Sequence, residues 1–492
     1  MYNIKPLMLI YLILVVLSSF KILPQNILVF GIAALIVSFL LILSRREGKE
    51  IKLSNSFLVL AFLLIFLTRA VPYISNDIPI GYDAGIYKYS IENKIDADWE
   101  KSTFEPVFNL LMKTLNLIFP STFILIFFLI LFELLIGFSI YITVKEYFDK
   151  NTAILSTLLY SLSIVQFKAF TFLYYKNIIA LSLLLLAFYF LKKANYKAFT
   201  ITAIILAGMH RPTFLIFAFS FLFHTFFNIK KNFKKNFISG IIIIIGSLLL
   251  YIDKLKTTIV PGLTETFDIG AGTFINLLTY KALILIYIPF LALGLYYIFQ
   301  NKKYNILFIW FIINFLIVVF RLFFFNRYII MLDLIAVIII AIGLLEIVKD
   351  DRKIGVLSIL IIFLFLSYNV FGEALTAKPL ISEEELNEIK TLQTTEENAF
   401  AMATHKNYSP WILGYSERKT IAPGLFEYNK WNLQQWQDFW QSDSEKAIEM
   451  LKDYERPLYI HAGNIRTGIN ITKFEDKCFE DYVEGKIWKV IC

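Results

Sequence analysis

Charge, cysteine and histidine are scarce in this chain, and each shortage narrows what it can do. Only 17% of its 492 residues are charged, against 58% hydrophobic, with 49 phenylalanines. A soluble protein carries nearer a quarter charged residues, so a surface kept wholly in water is excluded. Four histidines are too few to expect a histidine-based zinc site. There is no Gly-Lys-Ser/Thr phosphate loop, no His-Glu-x-x-His, no Cys-x-x-Cys and no nucleotide fingerprint after a strand, so chemistry driven by ATP is not expected. No obvious internal repeat supports an inverted-repeat transporter. The first apolar run, Leu7 to Phe20, is not followed by a clear small-residue cleavage site, and it reads as a span rather than a removable signal.

What the chain does have is apolar blocks. Phe123–Val144, Ile306–Phe320 and Ile354–Phe371 run almost uninterrupted over lengths near the roughly 20 residues that cross a bilayer. They lack the polar stripe of a surface helix. The pattern predicts a polytopic α-helical membrane protein with about thirteen transmembrane helices.

The net charge of +8 collects in short gaps between blocks: Arg45-Arg46, Lys145 and Lys150, Lys192-Lys193, Lys230-Lys231 with Lys234-Lys235, Lys302-Lys303, and Lys349 with Arg352 and Lys353. The positive-inside rule makes these gaps cytoplasmic and puts the N-terminus inside. Basic residues scattered in this way build no single nucleic-acid face, so no nucleic-acid partner is expected. The same parity places 73–120, Met209–Pro212, 253–275 and everything from about 373 onward outside the cell membrane. Phe104–Phe119, with Glu105, Pro106, Asn109 and Lys113, reads as an interfacial helix, because making it a span would invert every later basic loop.

The expected domains are therefore a transmembrane core, 1–372, with its first large external loop at 73–120, and a C-terminal extracytoplasmic α/β domain, 373–492. Ser382 with Glu385 and Ser442 with Glu445 are capping-box patterns that open helices. Strand-like runs occur at Asn398–Ala403, Leu458–His461 and Ile487–Val490. A turn at Glu484-Gly485 would bring the only two cysteines, Cys478 and Cys492, near each other. A disulfide suits an extracytoplasmic compartment; two unpaired thiols are the other reading.

The polar residues on the outer side need a reason, since the positive-inside rule does not require them. In the stretch Gly81–Ser90, GYDAGIYKYS, Asp83 can serve as a general base if a bound hydroxyl comes within reach, and Tyr82 and Tyr87 can pack on a sugar ring. Alternatively Asp83 caps a helix over Ala84–Glu92. Glu105 either converges with Asp83 or is an acid favoured by the dipole of the helix it opens. Three external hairpins each present cations: Lys176 in Tyr174–Asn177, His210 and Arg211 in His210–Thr213, and Arg321 and Arg327 on either side of 322–326. Such donors suit a phosphate, and snorkelling anchors are the plainer alternative. Inside the membrane, Asp333 needs a partner, for which Arg321 or Arg327 is nearest in sequence, and Glu133 has no assigned partner.

This layout resembles the GT-C membrane glycosyltransferases, which include protein O-mannosyltransferases, the aminoarabinose transferase of lipid A and the catalytic subunits of oligosaccharyltransferases. The matching residues are Tyr82-Asp83 with Tyr87, Glu105-Pro106, Tyr174–Asn177, His210–Thr213, Phe325–Tyr328, and in the tail Ser409–Ser416 followed by Arg418–Gly424. The resemblance implies catalytic Asp83 and Glu105, and a donor phosphate held by His210, Arg211, Arg327, Arg321 and Lys176. It implies an inverting transfer from a polyisoprenyl-phosphate-linked sugar, held among membrane lipid, to a hydroxyl on a glycan, lipid or protein. Two departures matter. Asp83 is followed by Ala84 where many relatives pair two acids, which leaves a divalent metal (Mg or Mn) open. The acceptor-reading Trp-Trp-Asp of oligosaccharyltransferases is absent, so asparagine glycosylation is not expected. The rival readings are a transporter or flippase of lipid-linked saccharide, a polymerase or ligase of surface polysaccharide, and a non-catalytic scaffold.

Overall fold

The computed structural model describes residues 5–22, 26–44, 48, 52–92, 105–229, 232–252, 281–322, 325–421, 430–466 and 468–492. The expected loop 253–275, the pairs Arg45-Arg46 and Lys230-Lys231, and Ala422–Gly424 of the tail motif lie outside the described residues.

Among the described residues, eight helices are long and apolar enough to cross a membrane: Ile27–Ser44, Ser56–Tyr73, Ser121–Tyr147, Tyr175–Lys192, Phe233–Leu250, Ala282–Gln300, Phe325–Asp350 and Arg352–Thr376. Lys150–Ser161 and Ile164–Thr171, bent by 51°, make a ninth if taken together. Four shorter apolar helices, Pro6–Ser19, Tyr196–Met209, Arg211–Phe227 and Ile306–Val319, occupy other positions where spans were expected. A 14-residue helix is only roughly 21 Å long, short of a hydrocarbon layer about 30 Å thick. By length and composition the count is thus eight or nine, and the short helices account for the difference from about thirteen. The chain is a multi-pass membrane protein.

Phe325–Asp350 is the central helix, with 94% of its span buried, whereas Phe233–Leu250 is peripheral at 22%. An all-round apolar helix suits a central position. Its Gly343 passes so close to the helix Lys281–Gln300 that a Cβ would meet the Phe290 carbonyl at 2.0 Å.

The bend at Leu162-Ser163 frees backbone groups, and buried side chains satisfy them. Arg69 donates to the Ser161 carbonyl at 2.8 Å and pairs with Glu133 at 3.1 Å; Tyr160 donates to the same carboxylate at 2.8 Å. Glu133 thus has its partner in Arg69. Asp333 accepts from Ser163 at 2.7 Å and Gln166 at 2.9 Å. Its hydrogen bonds come from the bent pair, not from Arg321 or Arg327. The physical reason is that the helix break presents a hydroxyl and an amide directly beside it, whereas Arg327 lies roughly 9 Å nearer the helix start.

The tail carries a five-stranded sheet in the order β2-β1-β3-β5-β4, with β1 Phe400–Ala403, β2 Lys419–Ile421, β3 Leu458–His461, β4 Phe479–Val483 and β5 Ile487–Val490. β1 runs parallel to β2 and β3, while β5 runs antiparallel to β3 and β4. The capping box at Ser382 and Glu385 is present. At the second expected box Asp443 caps instead, accepting from the Lys446 amide, because Ser442 ends the preceding helix Leu433–Gln441. Gly485 turns the β4–β5 hairpin at φ +61°, and a disulfide joins Cys478 to Cys492.

The tail has a core of its own around Trp431, Trp436, Phe439 and Trp488. Its helix Ser409–Tyr415 belongs elsewhere: Tyr408, Trp411 and Ile412 share a core with the bundle and with Ala84 and Tyr87. This helix lies on Ala84–Glu92, and the crossing is made by glycines. A Cβ on Gly85 would meet the Pro410 carbonyl oxygen at 1.8 Å, and one on Gly414 would meet that of Gly85 at 2.2 Å. On the other side of Asp83, a Cβ on Gly81 would fall 2.3 Å from Leu173. Tyr82 donates to the Lys406 carbonyl at 3.0 Å, and the Lys88 ammonium sits 4.9 Å from the Tyr415 ring centre.

Gly85→Ala should therefore loosen the tail from the loop. Forced overpacking costs about 1–3 kcal/mol, so a lower unfolding temperature in detergent and faster proteolysis within 373–492 are expected. Gly372→Ala, where nothing lies within 4 Å, should change neither.

Candidate active site

Four local devices bring the residues expected on the outer side together. Ala84–Glu92 begins directly after Asp83. Pro106–Asn116 begins after Glu105, with Pro106 pre-set for a first helical turn. Leu173, at φ +59°, reverses the chain before Tyr175–Lys192 and leaves Lys176 in that helix's first turn. His210 is extended between two helices and sets Arg211 at the start of the second.

Glu105 is the centre of this arrangement. It is the residue before the helix, placed where the helix dipole favours an acid, and its side chain makes no cap bond. Its carboxylate is 2.8 Å from Lys176 Nζ and 3.6 Å from Arg211 Nε, and only 3% of the side chain is exposed. Burial pushes its pKa up, but Lys176, Arg211 and His210 outweigh that and hold it at about 2. Glu105 is therefore ionised at any physiological pH.

Asp83 behaves oppositely. Burial lifts its pKa to about 6, and Lys176 and Arg327 only partly pull it back. Some of its surface stays open. A carboxylate poised near neutrality is suited to taking up a proton.

Tyr87 is 4% exposed and packs edge-on to Phe108, 5.4 Å between ring centres. Burial first, then Asp83 and Glu105, drive its pKa far up. It is a packing residue behind the acids rather than an open platform, and the Tyr82 hydroxyl is engaged with the tail. His210 is buried, with Nδ1 2.7 Å from the Thr213 hydroxyl. Burial depresses its pKa to about 3 against the pull of Glu105, with Lys176, Arg327 and Arg211 adding to the depression. It is neutral at pH 7 and offers hydrogen bonds rather than charge. Arg327 lies in the first turn of Phe325–Asp350, within electrostatic range of Asp83, Tyr87 and His210. Arg321 is exposed, 6.0 Å over the Phe325 ring, and does not figure among the charges acting on Asp83, Glu105 or His210.

The sequence reading missed Arg69, Ser163 and Gln166, which fix the bent helix pair beside the site; the visible signal was a lone cation closing the apolar run 56–70. It also missed the tail segment at Lys406. Mg or Mn prefers several oxygen ligands. Here Glu105 is taken by two cations, and among the described residues no three His, Cys, Asp or Glu side chains group to hold an ion. This donor set does not fit a divalent metal.

Glu105→Gln should remove the carboxylate nearest to Lys176 and Arg211. Breaking a buried pair costs about 3 kcal/mol or more, read as a lower unfolding temperature. A depressed carboxylate stabilises above its unfolded value, 4.5, and loses that contribution as pH falls through about 2. The gap between wild type and variant should therefore shrink as pH is lowered from 5 to 3.

No protein-family model matches the chain, and no curated protein matches it. Solved structures do. The archaeal oligosaccharyltransferase AglB from Archaeoglobus fulgidus, in complex with an inhibitory peptide and a dolichol-phosphate, has a TM-score of 0.62 at 14% identity over 82% of this chain and 69% of that one. The apo form of the Archaeoglobus fulgidus oligosaccharyltransferase gives 0.61 at 14% identity, over 83% and 69%. The form tethered to an acceptor peptide containing the NVT sequon gives 0.59 at 14% identity, over 83% and 68%. At this identity the likeness establishes the fold: the chain folds like these archaeal oligosaccharyltransferases, whose catalytic subunits are among the proteins the sequence resembles.

Proposed function

We propose that this chain is a membrane glycosyltransferase that moves a sugar from a polyisoprenyl-phosphate donor to an acceptor hydroxyl at the outer face. The observation that carries the reading is the convergence of a proton-accepting Asp83 with Lys176, Arg211 and Arg327 from hairpins far apart in sequence. Asp83 takes the proton of the acceptor hydroxyl as its oxygen attacks the anomeric carbon. The bond from that carbon to the phosphate oxygen breaks, and the polyisoprenyl phosphate leaves with the electron pair. Arg327 and Arg211 stabilise the charge growing on that phosphate, the kind of fixed electrostatic contribution that is usually largest. His210 contributes a neutral hydrogen bond. Glu105 keeps Lys176 and Arg211 in place. A single displacement inverts the anomeric centre.

The oligosaccharyltransferase neighbours were solved with dolichol-phosphate and with peptides, which supports a polyisoprenyl phosphate as donor carrier and keeps protein among the acceptors. The missing Trp-Trp-Asp favours a hydroxyl over a sequon asparagine. A transporter is less favoured because the membrane-embedded Glu133 and Asp333 are occupied by Arg69, Tyr160, Ser163 and Gln166. A polymerase or ligase shares the donor chemistry and is separated by its product.

Asp83→Asn should lower transfer by 10² or more, the typical share of a general base being about 10²–10⁴. The wild-type rate should fall below pH about 6 as Asp83 takes up its proton. Mass spectrometry of surface glycans, glycolipids and proteins from host cells would identify the unit lost. Unchanged glycans with the variant at wild-type abundance would reject the reading.

A further inference from the structure

At the end of the bundle away from Asp83, four exposed lysines stand over half-buried tyrosines. Lys145 lies 5.9 Å from the ring centre of Tyr141, Lys192 5.3 Å from Tyr147, Lys193 5.9 Å from Tyr189 and Lys235 5.7 Å from Tyr196. An ammonium within about 6 Å of a ring face is held by the ring's quadrupole. These pairs fix the height of charges that would otherwise sweep freely on four-carbon stems. Among the described residues Glu146 opposes them, at 2.7 Å from Lys193; Asp149 caps the helix Lys150–Ser161 through Thr152.

The position of the row can be measured along the helices. Lys176, at the site, and Lys192 begin and end one helix, roughly 24 Å apart along its axis. Arg327 and Lys349 do the same on the central helix, roughly 33 Å apart. These separations bracket a hydrocarbon layer about 30 Å thick. Immediately beyond Lys235, the residues Phe237, Ile238 and Ile241 are exposed, an apolar face that matches acyl chains as the lysines match headgroups.

We infer that this row is an interaction surface for anionic phospholipid headgroups. With the row in an anionic leaflet, Asp83 lies towards the opposite leaflet. The occupant is a lipid rather than a free anion because charge and apolar face are contiguous. Each lysine near an anionic surface contributes roughly five-fold in affinity. The surface does not depend on the transfer reaction, so either can fail without the other.

The test uses the full chain in nanodiscs of mixed phosphatidylglycerol and phosphatidylcholine, with spin-labelled forms of each lipid reporting contact. Enrichment of phosphatidylglycerol several-fold over phosphatidylcholine is expected, falling towards parity in the Lys192→Gln/Lys193→Gln/Lys235→Gln variant. Tyr147→Leu/Tyr196→Leu, which keeps every charge, should lower the enrichment part of the way. Equal contact of both lipids with wild type, enrichment unchanged in the lysine variant, or enrichment abolished by millimolar inorganic phosphate at constant ionic strength would overturn the inference. The cleavage pattern of the tail under limited proteolysis serves as the check that each variant is folded.

Discussion

A carboxylate removed from water must find positive charge, and the end of the bundle that carries Asp83 is organised around that requirement at Glu105. Lys176 and Arg211 come from two hairpins 35 residues apart in sequence, and they meet at one carboxylate, Lys176 at Oε2 and Arg211 at Oε1. Once they do, three helix starts are held at one level: Pro106, Tyr175 and Arg211. The positive charges pull Glu105 down to about 2 but leave Asp83 at about 6. Two acids in one loop thus receive opposite tasks from their surroundings. Glu105 is a permanent anion that positions cations, while Asp83 can exchange a proton near neutrality.

The stretch GYDAG holds Asp83 by what it omits. Gly81 lets the loop lie against the Leu173 reversal, and Gly85 lets the tail helix Ser409–Tyr415 lie against the loop. Any side chain at either position would occupy the space of another backbone. The acid between them is consequently clamped by the bundle on one side and the tail on the other. Tyr82 reinforces the second contact through the Lys406 carbonyl. The tail therefore takes part in building the site even though most of it folds around a separate core.

Deeper in the bundle, polarity has a different function. A bent helix in an apolar medium exposes carbonyl and amide groups that water cannot reach, and unsatisfied groups there cost several kcal/mol each, roughly. At the break 161–164 Arg69 donates to the Ser161 carbonyl and the Ser163 hydroxyl oxygen accepts from the Gln166 amide, while Asp333 accepts from the Ser163 hydroxyl and the Gln166 side chain. Gln166 also bonds the Ile330 carbonyl at 2.9 Å, which ties the bent pair to the helix carrying Arg327. Rigid support of this kind is what a site on loops and helix ends needs if its charges are to stay in register.

The apolar runs determined by themselves that this chain enters a membrane as helices, because composition and run length act locally. Local signals also gave the helix after Glu105, opened by Pro106, the box at Ser382, and the hairpin at Gly485 that lets Cys478 meet Cys492. Local signals failed where two adjoining elements competed for one residue: Ser442 could open a helix or end one, and it ends one. They also could not say how far each apolar helix extends, so about thirteen spans became eight or nine by length. Pairings across long stretches of chain were decided only by the tertiary structure: Arg69 with Glu133, Asp333 with Ser163, Gly85 with Gly414. The protonation states belong to that group too. Asp83, Glu105 and His210 each carry an ordinary pKa in the sequence, and only the distances to Lys176, Arg211 and Arg327, with the water excluded around them, make one a permanent anion, one a base and one a neutral ring.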